Sequence, residues 1–308
     1  MEAYFTGFLL MIRPLPLNNT NLKVCENRPF ERAILTHGGA SSNPDDADGP
    51  LLAAQAGMAV MAEGRSALSA VVHAVSLLED DPRFNAGTGS QCRVDQQTVQ
   101  MDASCMSSDG QFGAVTCVEG VKNPIAIAQG VLLHSDHILI AGEGAQLFAR
   151  THKISMQSLK NIASGGDQCG NVSDEKRPSC DTVGAVAFDG TTFAVALSSG
   201  GLENAAIGRV GDVPLPGCGL YCGPLGAIAC TGDGEFIALK ILAREVYGWL
   251  EQSMAPADAV QKALTLFDDT VDIGLIILTK NSFASSARNG MAWSQLTSTK
   301  TTHQNDSQ

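Results

Sequence analysis

Apolar positions recur at two spacings along the chain, and the switch from one to the other marks its elements. Residues 51–62 and 66–78 both carry apolar side chains at helical spacing, divided by Gly64. Ser66 offers an N-cap for the second helix and Pro82 stops it. Residues 98–106 and 112–118 read as two strands joined through Ser107-Ser108-Asp109-Gly110. Asn123-Pro124 opens another helix, with Asn as cap and Pro at the first helical position. A short strand at 137–140 and a helix at 143–152 follow. Earlier, residues 32–36 form a short apolar run, predicted as a strand that enters a turn at His37-Gly38-Gly39.

Beyond residue 181 the pattern predicts a hairpin of 183–188 and 192–197 around Asp189-Gly190, and helices over 237–250 and 257–267. Residues 273–278 and 282–286 pair across Lys280-Asn281. Residues 1–30 lack sustained periodicity and read as a poorly ordered N-terminal extension. Residues 153–181, with Ser164-Gly165-Gly166-Asp167 and a charged run from Asp174 to Arg177, read as a linker inside a single domain spanning 31–308. Paired strands and paired helices on both sides of that linker predict an α+β fold with two antiparallel sheets between helix layers. A Rossmann fold is excluded, because strands and helices do not alternate.

Composition narrows the function classes. With 308 residues, 44% of them hydrophobic, the chain can bury a full core. A net charge of -12 argues against nucleic acid as a partner, since phosphate neutralisation needs clustered Lys and Arg. No apolar stretch has the length of a membrane helix, the patch at residues 5–12 included, and no membrane partner is expected. Nine irregularly spaced cysteines suit a reducing, cytoplasmic setting better than a disulfide framework. Cys218, Cys222 and Cys230 lack a fourth ligand at zinc spacing and read as small buried hydrophobes.

The chemistry centres on the junction Asp181-Thr182-Val183-Gly184, where a polar segment runs straight into a buried-looking strand. A chain cut between Asp181 and Thr182 would begin with threonine. Its free α-amine, with an ordinary pKa near ~8, is about a tenth neutral at pH 7. It can take the proton of the same residue's hydroxyl, so that one residue supplies both nucleophile and base. Taken alone, the junction reads more readily as an ordinary loop meeting a β-branched strand start.

Eight ordered motifs decide between these readings: His37-Gly38-Gly39-Ala40, Phe84-Asn85-Ala86-Gly87-x-Gly89-Ser90, Met101-Asp102-Ala103-Ser104, Asn123-Pro124, Asp181 to Val186, Ser198-Ser199-Gly200-Gly201, Gly208-Arg209-Val210-Gly211-Asp212 and Thr231-Gly232-x-Gly234-Glu235. Over roughly residues 31–293 the chain resembles the isoaspartyl peptidase/L-asparaginase family of N-terminal nucleophile hydrolases, to which threonine aspartase is related. The resemblance implies a four-layer αββα sandwich. It also implies autocleavage into residues 1–181 and 182–308, a homodimer of cleaved protomers, and hydrolysis of L-asparagine or β-aspartyl dipeptides to L-aspartate.

It further implies roles for single residues. Thr182 is the nucleophile, Ser199 a neighbouring hydroxyl where the family usually has threonine, and Asn85 an oxyanion partner. Arg209 is expected to fork onto a substrate α-carboxylate and Asp212 to hold its α-ammonium, with Thr231 and Gly232 completing the pocket. Backbone carbonyls near Leu78, Glu79, Phe84, Ala86 and Thr88 are expected to hold a structural sodium; no other cofactor is implied. Departures from the pattern are a short linker, Asp181 before the nucleophile, Ala205 in place of a lysine, and a hairpin at Asp189-Gly190 one residue short. An endopeptidase of the threonine aspartase kind, and an uncut binding protein for small metabolites, are the competing readings. Asp212 weighs against the first, since threonine aspartase carries an amide there.

Overall fold

The computed structural model describes residues 29–154 and 182–299. Strands β1 (Phe30–Ala40), β2 (Met101–Ser107), β3 (Phe112–Val118), β4 (Leu139–Ala141), β5 (Val183–Phe188), β6 (Phe193–Ser199) and β11 (Met291–Thr299) form one sheet, ordered β11-β1-β5-β6-β2-β3-β4. Strands β7 (Leu220–Gly223), β8 (Gly226–Gly232), β9 (Ile273–Thr279) and β10 (Phe283–Ala287) form a second, ordered β10-β9-β8-β7. Helices α1 (Asp48–Ala62), α2 (Ala67–Asp80), α3 (Pro124–His134) and α4 (Gly142–Thr151) cover the outer face of the large sheet. Helices α5 (Gly234–Lys240), α6 (Leu242–Glu251) and α7 (Pro256–Leu264) cover the outer face of the small one.

Side-chain alternation along each strand produces this layering. On β5 and β6, Ala185, Ala187, Ala194 and Ala196 face the helices, while Val186, Val195 and Leu197 face the second sheet. There they meet Ala229, Ile276 and Leu278. The other faces of β8 and β9, with Ile228, Cys230, Leu275 and Ile277, pack on α6 and α7. Three successive cores therefore separate four layers, the αββα sandwich. Small residues let the layers approach. A Cβ on Gly57 would lie 3.1 Å from the Ala70 carbonyl of α2 and would overlap Ile34.

The helix starts follow local chemistry. Ser66 accepts the Ser69 N–H at 3.2 Å as the N-cap of α2, and Asp189 from the β5–β6 turn accepts the Ala67 N–H at 2.9 Å. One carboxylate thus fixes both that hairpin and the first turn of α2, since it also takes the Thr191 and Thr192 N–H groups.

Several expectations need correction. His37-Gly38-Gly39 is not a turn: β1 runs through it to Ala40, with one extra residue against β11 between His37 and Ala40, and Gly39 supplies φ 109° at this bulge. The sheets are not wholly antiparallel, since β4 lies parallel to β3, reached through the crossover helix α3. The helix predicted over 237–250 is two helices, α5 and α6, broken where Ile241 adopts φ 49°, ψ 47°. Asn123 precedes α3 without capping it; its side chain donates to Ser76 O and Asp80 on α2 instead. Strands β7, β8 and β11 had no predicted counterpart, and residues 98–100 lie outside β2.

Candidate active site

The strand register brings the candidate residues to one end of the space between the sheets. Asp102 pairs with Ser199 and Val183 pairs with Ser198, so Thr182 enters β5 alongside Ser199. By alternation from Ser104, Leu197 and Ala229, the Asp102, Ser199 and Thr231 side chains face the opposite sheet. Thr182, Ser199, Arg209, Asp212 and Gly232 line one pocket together with Asp102. Thr182 is 3% exposed, and Asp181 lies outside the described residues.

Hydrogen bonds fix the hydroxyls. Thr231 Oγ1 donates to the Thr182 carbonyl at 3.2 Å and accepts the Ala40 N–H at 3.0 Å. The bulge in β1 thereby reaches the second sheet at the site itself. Ser199 Oγ accepts the Gly201 N–H at 3.1 Å, which leaves its proton free for another acceptor. Asn85 stands behind Gly201: its Nδ2 donates to Gly201 O at 2.6 Å, and its backbone carbonyl accepts the Gly200 N–H at 2.9 Å. Its Oδ1 has no partner among the described residues. His37 is fully buried over Gly184, and burial depresses its pKa to about 3, so it is a neutral imidazole.

The charged groups are arranged less simply. Asp212 is buried, Oδ2 has no partner among the described residues, and burial pushes its carboxyl up to about 7 against the pull of Arg209. Gly219 and Gly234 make room for it, since a Cβ on either would come within 2.7 Å of a carboxylate oxygen. Arg209 forks onto Glu235 through Nε at 2.8 Å and Nη2 at 2.7 Å. Sequence pattern does not disclose that contact; Glu235 closes the Thr231 motif with no role implied for it. Arg93, also missed, is fully buried and donates through Nη2 to Gln100 O at 2.8 Å and Arg209 O at 3.4 Å. Its position in an unpatterned loop gave no signal. Asp102 accepts from Thr116 Oγ1 and Cys117 N, and burial raises its pKa while Arg93 lowers it.

The segment after α2 gathers several backbone carbonyls. The Glu79 carbonyl crowds the space above Gly87, and the Phe84 and Pro82 carbonyls crowd that above Gly89. Leu78 O, Phe84 O and Ala86 O each already accept one backbone N–H, from Asp81, Ala86 and Gly89, and a carbonyl keeps a second lone pair. No group of three or more His, Cys, Asp or Glu among the described residues could hold a metal. Among the described residues Cys105, Cys117, Cys218, Cys222 and Cys230 are free thiols, whereas Cys92 is disulfide-bonded, which departs from the wholly reduced set expected. No helix among these residues is long and apolar enough to cross a membrane.

Comparison with known proteins identifies the family. A family model described as asparaginase matches residues 31–305. The isoaspartyl peptidase/L-asparaginase of Xenopus laevis is 36% identical over 280 residues, covering 84% of this chain and 90% of that protein. That of Danio rerio is 36% identical over 275 residues, 83% and 88% of the two chains. The plant-type L-asparaginase of Pyrococcus abyssi is 36% identical over 260 residues, 76% and 84%. With a family match over most of its length and relatives well above 30% identity, the chain belongs to the asparaginase family of hydrolases.

Proposed function

We propose that this chain cuts itself before Thr182 and then uses the liberated threonine to hydrolyse L-asparagine and isoaspartyl dipeptides, releasing L-aspartate. The observation that carries this is one pocket lined by a strand-initial threonine, a second hydroxyl, a guanidinium and a buried carboxylate: Thr182, Ser199, Arg209 and Asp212. The names of the relatives support the same substrates.

In the precursor, Thr182 Oγ1 attacks the carbonyl carbon of Asp181. The peptide nitrogen leaves as the threonine amine, and water hydrolyses the resulting ester. The products are residues 1–181 and 182–308, the two subunits of a single domain. In turnover, the amine accepts the hydroxyl proton while Oγ1 attacks the side-chain amide carbonyl. The protonated amine returns that proton to the departing ammonia or amino group. Water then attacks the β-aspartyl ester, giving aspartate and free Thr182. Arg209 binds the α-carboxylate and Asp212 the α-ammonium. Thr231, whose one proton is committed to the Thr182 carbonyl, holds the nucleophile's residue in place beside Gly232. Asn85 serves the oxyanion by turning its amide away from Gly201 O.

The carbonyls of Leu78, Glu79, Phe84, Ala86 and Thr88 are the proposed sodium ligands, with Pro82 as a further candidate. The ion would neutralise converging dipoles and stiffen the loop that carries Asn85. Two cleaved protomers form the proposed homodimer. The free thiols support a cytoplasmic setting, with Cys92 as the exception.

Mass spectrometry of the wild type and Thr182→Ala, paired with ammonia release from L-asparagine and amine release from a β-aspartyl dipeptide, tests the reading. The wild type should yield the two fragments and both activities, and the variant neither. Equal turnover by an uncut chain would remove the mechanism.

A further inference from the structure

Arg209 presents two edges capable of a forked hydrogen-bond pair, and Glu235 already holds one of them. Its Oε1 and Oε2 take Nε at 2.8 Å and Nη2 at 2.7 Å. The opposite edge, Nη1 with the second proton of Nη2, remains. Gly211 and Gly234 flank it, and a Cβ on either would lie 3.0 Å from Nη1 and Nη2 respectively. Arg209, Gly211 and Gly234 all line the pocket that contains Thr182. Glu235 sits in the first turn of α5, where the helix backbone fixes its origin, and its side chain is 55% exposed.

We infer that Glu235 is a positioning residue for substrate: it fixes the plane of the Arg209 guanidinium so that the Nη1–Nη2 edge meets the α-carboxylate. This rests on the proposed amidohydrolase reading and adds a residue to it. The Glu235 side chain is 55% exposed against 14% for Arg209, so solvent screens the pair from one side and limits its contribution to folding. Its consequence is geometric. A guanidinium on a four-bond stem has many rotamers, and a fork on one edge removes most of them before substrate arrives. Charge alone would instead make the Glu235 carboxylate a competitor for Arg209, and the two roles predict opposite signs.

The test uses the full-length, processed enzyme with L-asparagine as substrate and L-aspartate as competing product. Glu235→Ala should raise KM about tenfold with kcat within about twofold of wild type, the signature of lost uniform binding. Glu235→Gln, which keeps one acceptor oxygen, should raise KM less. The inhibition constant for L-aspartate should rise by the same factor as KM, and melting temperature should stay within about 2 °C. An unchanged or lowered KM in Glu235→Ala, or a loss confined to kcat, overturns the positioning role while leaving the amidohydrolase reading intact. Wild-type protein inert towards every amide offered would overturn both.

Discussion

Thr231 donates its hydroxyl proton to the carbonyl of Thr182 across the gap between the sheets, and receives the Ala40 N–H on the same oxygen. Three segments, the β1 bulge, the start of β5 and the end of β8, therefore meet on one buried atom. Thr231→Val preserves shape and removes that atom, leaving a buried N–H and a buried carbonyl without this partner. The expected destabilisation is about 1–3 kcal/mol. Processing should slow more than folding suffers, because Thr182 loses its anchor. Gel electrophoresis of freshly folded protein over time, alongside a denaturant titration, checks both. Cleavage at the wild-type rate would show that Thr231 does not hold the nucleophile.

Asp212 sets a pH limit on substrate binding. Burial raises its carboxyl to about 7, and only the ionised form pairs with an α-ammonium. In free enzyme the competent fraction therefore grows as pH rises through about 7. The ratio kcat/KM should climb over that interval. The Thr182 amine, ordinarily near ~8, adds a second rise at higher pH as it becomes a competent base. Asp212→Asn should remove the lower limb and keep the upper one, at reduced overall kcat/KM. A pH profile of the variant that retains the limb near 7 would assign it to another group.

Glu79 reaches the core from the last turn of α2, fully buried, with Oε1 accepting the Ile125 N–H at 3.0 Å. Burial raises its carboxyl from 4.5 to about 8. The native state therefore holds a proton that the unfolded state releases above about 4.5. With more protons bound in the native than the unfolded state, stability falls as pH rises from about 4.5 to about 8 and levels off beyond. The slope from this one group reaches at most about 1.4 kcal/mol per pH unit. Glu79→Gln keeps a neutral, hydrogen-bonding side chain and removes the dependence. Denaturant titrations at pH 5 to 9 should show the wild type declining relative to the variant, and parallel curves would mean that Glu79 is solvated.

The sequence disclosed what is carried by short-range pattern and chemical type. The helix-facing alanines and sheet-facing valines of β5 and β6 follow a period of two, so the hairpin ending at Ser199 was legible. Thr182, Ser199, Arg209 and Asp212 were legible as motifs, and the fold brings them to one pocket. What remained hidden depends on pairing across the chain. β11 lies in a polar stretch, Met291–Thr299, whose strand character comes from its ladder with β1. β7 and β8 are rich in Gly, Ala and Cys, which carry weak strand signals by themselves. Glu235 acquires its role from Arg209, 26 residues away, and Arg93 from carbonyls that no local rule connects to it.

Ile241 is where local pattern and structure diverge most sharply. The apolar spacing over 237–250 continues smoothly through it, yet the backbone turns left-handed and starts a new helix. A β-branched side chain in that region is strained by about 1–2 kcal/mol. The turn persists because the residues after it are held elsewhere: Ala243 N–H bonds Cys218 O at 3.0 Å and Arg244 N–H bonds Gly217 O at 2.9 Å. Those bonds set the register of α6 against the loop before β7, which continuous helix would break. Ile241 is 53% exposed, so its side chain offers limited burial in compensation. Ile241→Gly should relieve the strain at some cost in unfolded-state entropy and lost packing, for a net gain of up to about 1 kcal/mol. Ile241→Ala, which keeps a Cβ, should gain nothing. Thermal melts of both variants decide the matter: a destabilised glycine variant would mean that the isoleucine side chain, through its contact beside Gly217, outweighs the backbone strain.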